Sequence, residues 1–223
     1  MKSFMKVALT SIALLSASAA VAKSDVAPPM YEEGESYTVI SETATDKPEV
    51  REFFSFYCGH CHSFERMIKQ VKPSLKSGVF KRNHVSFIGG VPKSAQDNLT
   101  EAVALALTIE NIAQQESVIE GIFKRIHKER KRADVYTRMG VREVFKEQGV
   151  DHKWFDENIE SVAVQMHAKE MRDIQDKMTA TNALKGVPTV IVNGKYRIEN
   201  SGIDKNAPVQ DYIKLVNYLL TNP

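Results

Sequence analysis

At 223 residues, 43% of them hydrophobic, the chain suits one domain or one domain carrying a large insertion, with a core that needs no disulfide staples. Its 30 basic and 28 acidic side chains give a net charge of +2, which excludes the strongly basic footprint of a nucleic-acid-binding protein. Only two cysteines are present, so no framework of structural disulfides can form.

The N-terminus carries Lys2 and Lys6, an apolar stretch over residues 7–15, and small residues ending in Ala20-Val21-Ala22. This is the pattern of an export signal peptide, residues 1–22. Its apolar core falls short of the roughly 20 residues that span a bilayer, and no later segment reaches that length. The sequence therefore predicts cleavage near Ala22 and a soluble exported protein beginning at Lys23, in which 28 acidic side chains are matched by an equal number of basic ones.

After a polar leader, residues 37–40 read as a short strand and residues 50–56 as a second one, apolar on both faces except at Glu52. Helical spacing takes over through Phe64, Met67, Ile68 and Val71 until Pro73 stops it. Residues 84–88 read as a third strand, closed by Gly89-Gly90. From about Gln96 to Ala180 only amphipathic helices are predicted, one of them with Asp134 as its N-cap. The basic run over residues 124–132 reads as a solvated helix end, where the dipole favours cations. Strand signals return at residues 189–192, Asn193-Gly194 is a two-residue hairpin turn, residues 195–198 pair back, and Pro208 opens a terminal helix. No internal repeat or low-complexity segment is present.

The two cysteines stand together as Cys58-Gly59-His60-Cys61, where the second strand gives way to the first helix. A disulfide closing so short a loop removes little unfolded-state entropy, which argues for reactivity over stabilisation. Cys58 at a helix start has unpaired backbone N–H groups and the positive dipole end to favour its thiolate. His60 can add a hydrogen bond or a charge, while Cys61, one turn on, is expected to be enclosed and protonated. Stabilising the Cys58 thiolate stabilises the reduced form and makes the disulfide a stronger oxidant.

Glu52-Phe53-Phe54-Ser55-Phe56-Tyr57-Cys58-Gly59-His60-Cys61, then His84-Val85-Ser86-Phe87 with Gly89-Gly90, then Gly186-Val187-Pro188 and Val192-Asn193-Gly194-Lys195-Tyr196 resemble the DsbA family of periplasmic thiol:disulfide oxidoreductases. The resemblance runs over essentially the whole exported chain. It implies an α/β thioredoxin fold, residues 23–90 and 181–223, with a helical domain, residues 91–180, inserted between the third strand and a cis-proline loop. It further implies that Cys58 is the nucleophile and Cys61 its resolving partner. Val187-Pro188 would form the cis-proline loop facing them, and Glu52 would be a buried acid that accepts or relays the Cys61 proton. Glu65 sits at a family position too, and an exposed helical glutamate accounts for it equally well. Where the family often has proline, Gly59 stands here, so a somewhat weaker oxidant with some isomerising activity is expected.

The resemblance implies an enzyme with no cofactor beyond the Cys58/Cys61 disulfide. Its expected partners are unfolded exported proteins as substrates and a membrane oxidase similar to DsbB. A disulfide isomerase or reductase is the closer alternative. Only residues 23–57 precede Cys58, too few for the dimerisation domain of such isomerases, so a monomer is expected. Cys58-Gly59-His60-Cys61-His62 also satisfies the c-type haem attachment pattern, but a haem gives the flanking sequence no reason to be a buried strand. Zinc held by Cys58, Cys61 and His62 or His84 lacks the second ligand pair usual in structural sites, and His84 on an apolar strand reads as a core histidine.

Overall fold

In the computed structural model residues 30–76 and 79–221 are described, and the signal peptide expected over residues 1–22 lies outside them. The strands β1 (Tyr37–Val39) and β2 (Val50–Phe54) precede helix α1 (Gly59–Val71), and strand β3 (Phe80–His84) follows it. Six more helices complete the chain around a hairpin. They are α2 (Lys93–Ala106), α3 (Ile112–Phe123), α4 (Arg138–Glu147), α5 (His152–Asn158) and α6 (Val162–Ala180), then β4 (Thr189–Val192), β5 (Tyr196–Ile198) and α7 (Pro208–Thr221). The sheet order is β1-β5-β4-β2-β3, with β2 parallel to β3 and antiparallel to β4. Among the described residues no helix is long and apolar enough to cross a membrane.

All five residues of β2 are buried, as a central strand covered on both faces requires. Val50 packs with Ile68 and Val71 of α1 and Tyr212, Leu215 and Val216 of α7. Phe53 packs with Ile191 and Leu184, with Ile174 and Met178 of α6 against them. Phe54 and Phe56 turn toward the helical block, where the Phe123 ring of α3 lies 4.8 Å from that of Phe56 and 6.0 Å from that of Phe54. That apolar cluster runs on without a break through Cys61, Leu99, Ile122 and Met171, so the inserted helices share one core with the cysteine site.

The third strand lies earlier than the sequence suggests: β3 begins at Phe80 and ends at His84. Its inward polar residues are buried and paired, with Asn83 Nδ2 donating to Met171 O at 3.0 Å and Arg51 Nη1 donating to Asn83 Oδ1 at 3.2 Å. Residues 85–88, which the sequence marks as the strand, follow the end of the ladder. Beyond Val85, side chains take their hydrogen bonds: the Ser86 amide donates to Gln175 Oε1 (2.7 Å) and the Ile88 amide to Gln96 Oε1 (2.9 Å). Side chains of α6 and α2 thus stand in for a neighbouring strand.

Two other expectations are corrected. Thr137, not Asp134, caps α4, its hydroxyl accepting from the Gly140 amide at 3.2 Å, while Asp134 opens a separate short turn, Asp134–Tyr136. A side chain at Gly140 would put its Cβ 1.7 Å from the Asp134 carbonyl oxygen, so only glycine lets these turns meet. The basic run is not wholly solvated. Lys124–Lys128 form a π turn beyond α3, and Arg125 there is buried, held by Glu129, Asp134 and Glu147. The hairpin turn follows the sequence reading, with Asn193 and Gly194 at φ +53° and +63°, the left-handed pair a type I′ turn needs.

Candidate active site

A tight turn delivers the chain from β2 to α1. The Tyr57 amide donates to Ser55 Oγ (3.2 Å) and the Cys58 amide to Ser55 O (3.1 Å), leaving Cys58 extended as the N-cap of α1. An N-cap is normally an oxygen that accepts from the first turn. Here it is sulfur: the Cys61 amide donates to Cys58 Sγ at 3.2 Å. The Cys58 thiol is held down at about 6 by hydrogen bonds from the Cys61 thiol and from the Cys61 and His60 amides, with the charge of His60 adding to them, against a burial effect that pushes it up. His60 itself is exposed, and Gly59 has open space around it.

Cys61 is fully buried, and its thiol is driven well above the ordinary range by the hydrogen bond it gives Cys58 and by burial. The two sulfurs therefore have opposite proton affinities, although one helical turn separates them.

Glu52 is fully buried, and its charge is among the influences that raise Cys61. Arg82 Nη1 reaches Glu52 Oε2 at 3.0 Å, yet burial still pushes the Glu52 carboxyl up to about 8. The guanidinium is shared. It makes a two-pronged pair with Glu65 at 2.7 and 3.0 Å and a further bond to Glu116 at 3.2 Å, and those carboxylates oppose ionisation of Glu52. Lys72 closes the cluster on Glu116 at 2.5 Å. Glu65 is thus a buried partner of Arg82 and not an exposed helical residue. Arg82, Lys72 and Glu116 escape the sequence reading. No local signal marks Arg82, which stands among Lys81 and Asn83 as a surface residue would; a charge there is tolerable in a core only when paired.

The Val187-Pro188 bond is cis, and the Val187 carbonyl lies 3.5 Å from Cys58 Sγ. His84 is a satisfied core residue. The Phe56 amide donates to its Nε2 (3.4 Å), so Nδ1 carries the proton and donates to Thr100 Oγ1 (3.0 Å), and burial lowers its pKa to about 3. His62 stacks on His127 with ring centroids 5.0 Å apart and 9° between planes, and His127 Nε2 donates to Phe56 O at 2.7 Å. Beside the cysteines a groove of about 700 Å³ opens between α1 and the segment leading into α7, lined by His60, Phe64, Met67, Pro188, Ile203 and Tyr212.

Residues 49–214 match the family described as DSBA-like thioredoxin domain. The thiol:disulfide interchange protein DsbA of Pectobacterium carotovorum subsp. carotovorum is 34% identical over 198 residues, 86% of this chain and 89% of that protein. Its counterpart in Escherichia coli K12 is 32% identical over 196 residues, 85% and 88% of the two chains. Among solved structures, the disulfide oxidoreductase DsbA of Proteus mirabilis superposes with a TM-score of 0.72 at 27% identity, over 86% of this chain and 97% of that one. A variant of the Proteus protein with the non-covalently bound peptide PWATCDS gives 0.71 at the same identity, over 86% and 98%.

Proposed function

Because this chain belongs to the DsbA-like thioredoxin family and is a thiol:disulfide oxidoreductase, we propose that it works as an oxidase, donating its Cys58/Cys61 disulfide to newly exported, unfolded proteins in the periplasm. The observation that carries this direction is the sulfur N-cap, because it stabilises the Cys58 thiolate and hence the reduced protein that oxidation of a client leaves behind.

In this reading a client thiolate attacks Cys58 Sγ, the Cys58–Cys61 bond breaks, and Cys61 leaves and takes up a proton. A second client thiolate then attacks the client sulfur of the mixed disulfide, and Cys58 leaves as a thiolate. The client gains a disulfide and the protein gains its two electrons. Glu52 serves the proton step. A carboxyl pushed up to about 8 is largely protonated near neutral pH, and its Oε1 has no hydrogen-bond partner among the described residues. The Val187 carbonyl and Pro188 border Cys58, where an extended client pairs through its main chain without regard to side chains. The groove beside His60 takes the client's apolar side chains. A membrane oxidase similar to DsbB then removes the two electrons, and residues 1–22 direct export.

The test is the redox equilibrium of the protein against glutathione, read by alkylation of Cys58. On the scale where a DsbA stands at about −120 mV and protein disulfide isomerase at about −180 mV, a value between the two is expected, since Gly59 replaces the family's frequent proline. A value at or below about −180 mV would overturn the oxidase direction in favour of an isomerase or reductase.

A further inference from the structure

We propose that the basic segment over residues 124–132 is a charge collar beside Cys58 that favours clients whose cysteines lie in acidic sequence. The proposal rests on the oxidase reading and names the substrate class of the same site.

Residues 124–134 hold six cations, Lys124, Arg125, Lys128, Arg130, Lys131 and Arg132, against two acids, Glu129 and Asp134. Two contacts pin the segment to the chain just before the nucleophile. His127 Nε2 donates to Phe56 O at 2.7 Å, and the Arg132 guanidinium lies 5.0 Å from the Tyr57 ring centroid. Phe56 and Tyr57 directly precede Cys58, so the collar borders the partly exposed sulfur. On its other side Lys128 shares a depression of about 310 Å³ with Arg66, Lys69 and Glu65 of α1 and with Glu120, which pairs with Lys69 at 2.7 Å.

Most of this charge is not spent internally. Arg125 is buried by its three carboxylates, and Lys124 and Lys131 reach only Glu129, at 3.4 and 3.8 Å. Lys128, Arg130 and Arg132 are exposed and have no ion pair among the described residues. Attraction to the helix dipole accounts for the cations of the π turn that ends α3 but not for Arg130, Lys131 and Arg132 past it. Arg130 sits at φ +58°, a left-handed conformation that glycine or asparagine adopts at less cost, so the backbone gives no reason for an arginine there.

Arg132, on the ring of the residue before Cys58, brings the segment's charge nearest to a client bound at that sulfur, and attraction between exposed charges acts over about one Debye length, roughly 8 Å at physiological ionic strength. Such fields raise encounter rates by 10- to 1000-fold, and a few exposed charges belong at the low end. The exchange itself is unchanged; only the rate of encounter differs.

The experiment measures the second-order rate at which the oxidised protein oxidises three two-cysteine peptides of equal length, acidic, neutral and basic, at low and high salt. Expected at low salt is the order acidic, neutral, basic, with about tenfold between the extremes, compressed by salt. In the triple variant K128Q/R130Q/R132Q the acidic-to-basic ratio falls toward one. The salt dependence of the unmodified protein tests the idea even if the variant folds poorly. Equal rates for acidic and basic peptides at low salt, or a preference that neither salt nor the variant reduces, would overturn the collar. So would binding to vesicles of anionic phospholipid without any peptide preference, which would make the segment a membrane contact. Failure to oxidise even the neutral peptide is the separate signature of a wrong oxidase reading.

Discussion

Deleting the Cys61 thiol separates the two devices that hold charge on Cys58. C61A keeps the backbone N–H that donates to Cys58 Sγ at 3.2 Å and removes only the side-chain hydrogen bond, the largest influence on that thiol. A hydrogen bond to a charged group contributes about 1.5–3 kcal/mol. At 1.36 kcal/mol per pH unit this moves the Cys58 midpoint up by about one to two units, from about 6 to roughly 7–8. The thiolate fraction at pH 7 then falls from roughly nine tenths to between about one half and one tenth. The rate of iodoacetamide alkylation against pH, checked by the ultraviolet absorbance of the thiolate, reports the midpoint directly. Stability follows with a definite sign. Because the folded Cys58 midpoint lies below its ordinary value of 9.0, the reduced protein is stabilised above that pH and loses the contribution as pH falls through about 6. In C61A the contribution is smaller, and it is fully lost at a higher pH, about 7–8. A midpoint that stays near 6 would refute the division of labour and leave the backbone amides and the charge of His60 as the source of the shift.

R82M leaves Glu52, Glu65 and Glu116 with Lys72 as the one cation remaining in their cluster, and removing one partner of a buried pair costs about 3–5 kcal/mol. Urea unfolding should show that loss and its partial recovery in R82M/E65M; a loss under about 1 kcal/mol would contradict the arrangement. E52Q acts through pH. The native Glu52 carboxyl holds its proton up to about 8 against an ordinary 4.5, so stability of the native protein falls as pH rises through that window, and E52Q should lose less over it. Denaturant midpoints with the same pH slope in both proteins would rule out the raised carboxyl.

The order of strands and helices was legible because its signals are local. An apolar run ending at Tyr57, a proline at position 73, Asn193-Gly194 and Pro208 each mark a boundary through backbone geometry that the residue itself imposes. The misreadings have one physical origin. β3 was placed late because Arg82 and Asn83 look like surface residues, whereas partners distant in sequence bury them: Glu52, Glu65 and Glu116 for the first, Arg51 and Met171 for the second. Glu65 and Arg125 were ambiguous or read as solvated for the same reason. Periodicity reports which residues are apolar, not which polar residues tertiary pairing will enclose. The motif of Cys58 and Cys61 was visible at once. The carbonyl of Val187, 129 positions from Cys58, came only through family resemblance.

The charge cluster under the cysteines is poorly explained as a stabiliser. Buried ion pairs roughly break even with apolar side chains of the same shape, and here Arg82 and Lys72 face three carboxylates, one cation too few for all three to ionise. That deficit has a chemical consequence. With a second cation against Glu52 the carboxyl would ionise at ordinary pH and could no longer hold a proton near neutrality; with no cation its burial would be costlier still. Arg82, committed by both terminal nitrogens to Glu65 and Glu116, is close enough to permit burial of Glu52 and too occupied to ionise it. Glu116 lies on α3, so the inserted helices reach Glu52 through charge as well as through the shared aromatic core of Phe54, Phe56 and Phe123. A displacement of α3 that loosened Glu116 would return part of Arg82 to Glu52 and favour its ionisation. On the oxidase reading, the helical insertion thereby helps set the acidity beneath the disulfide.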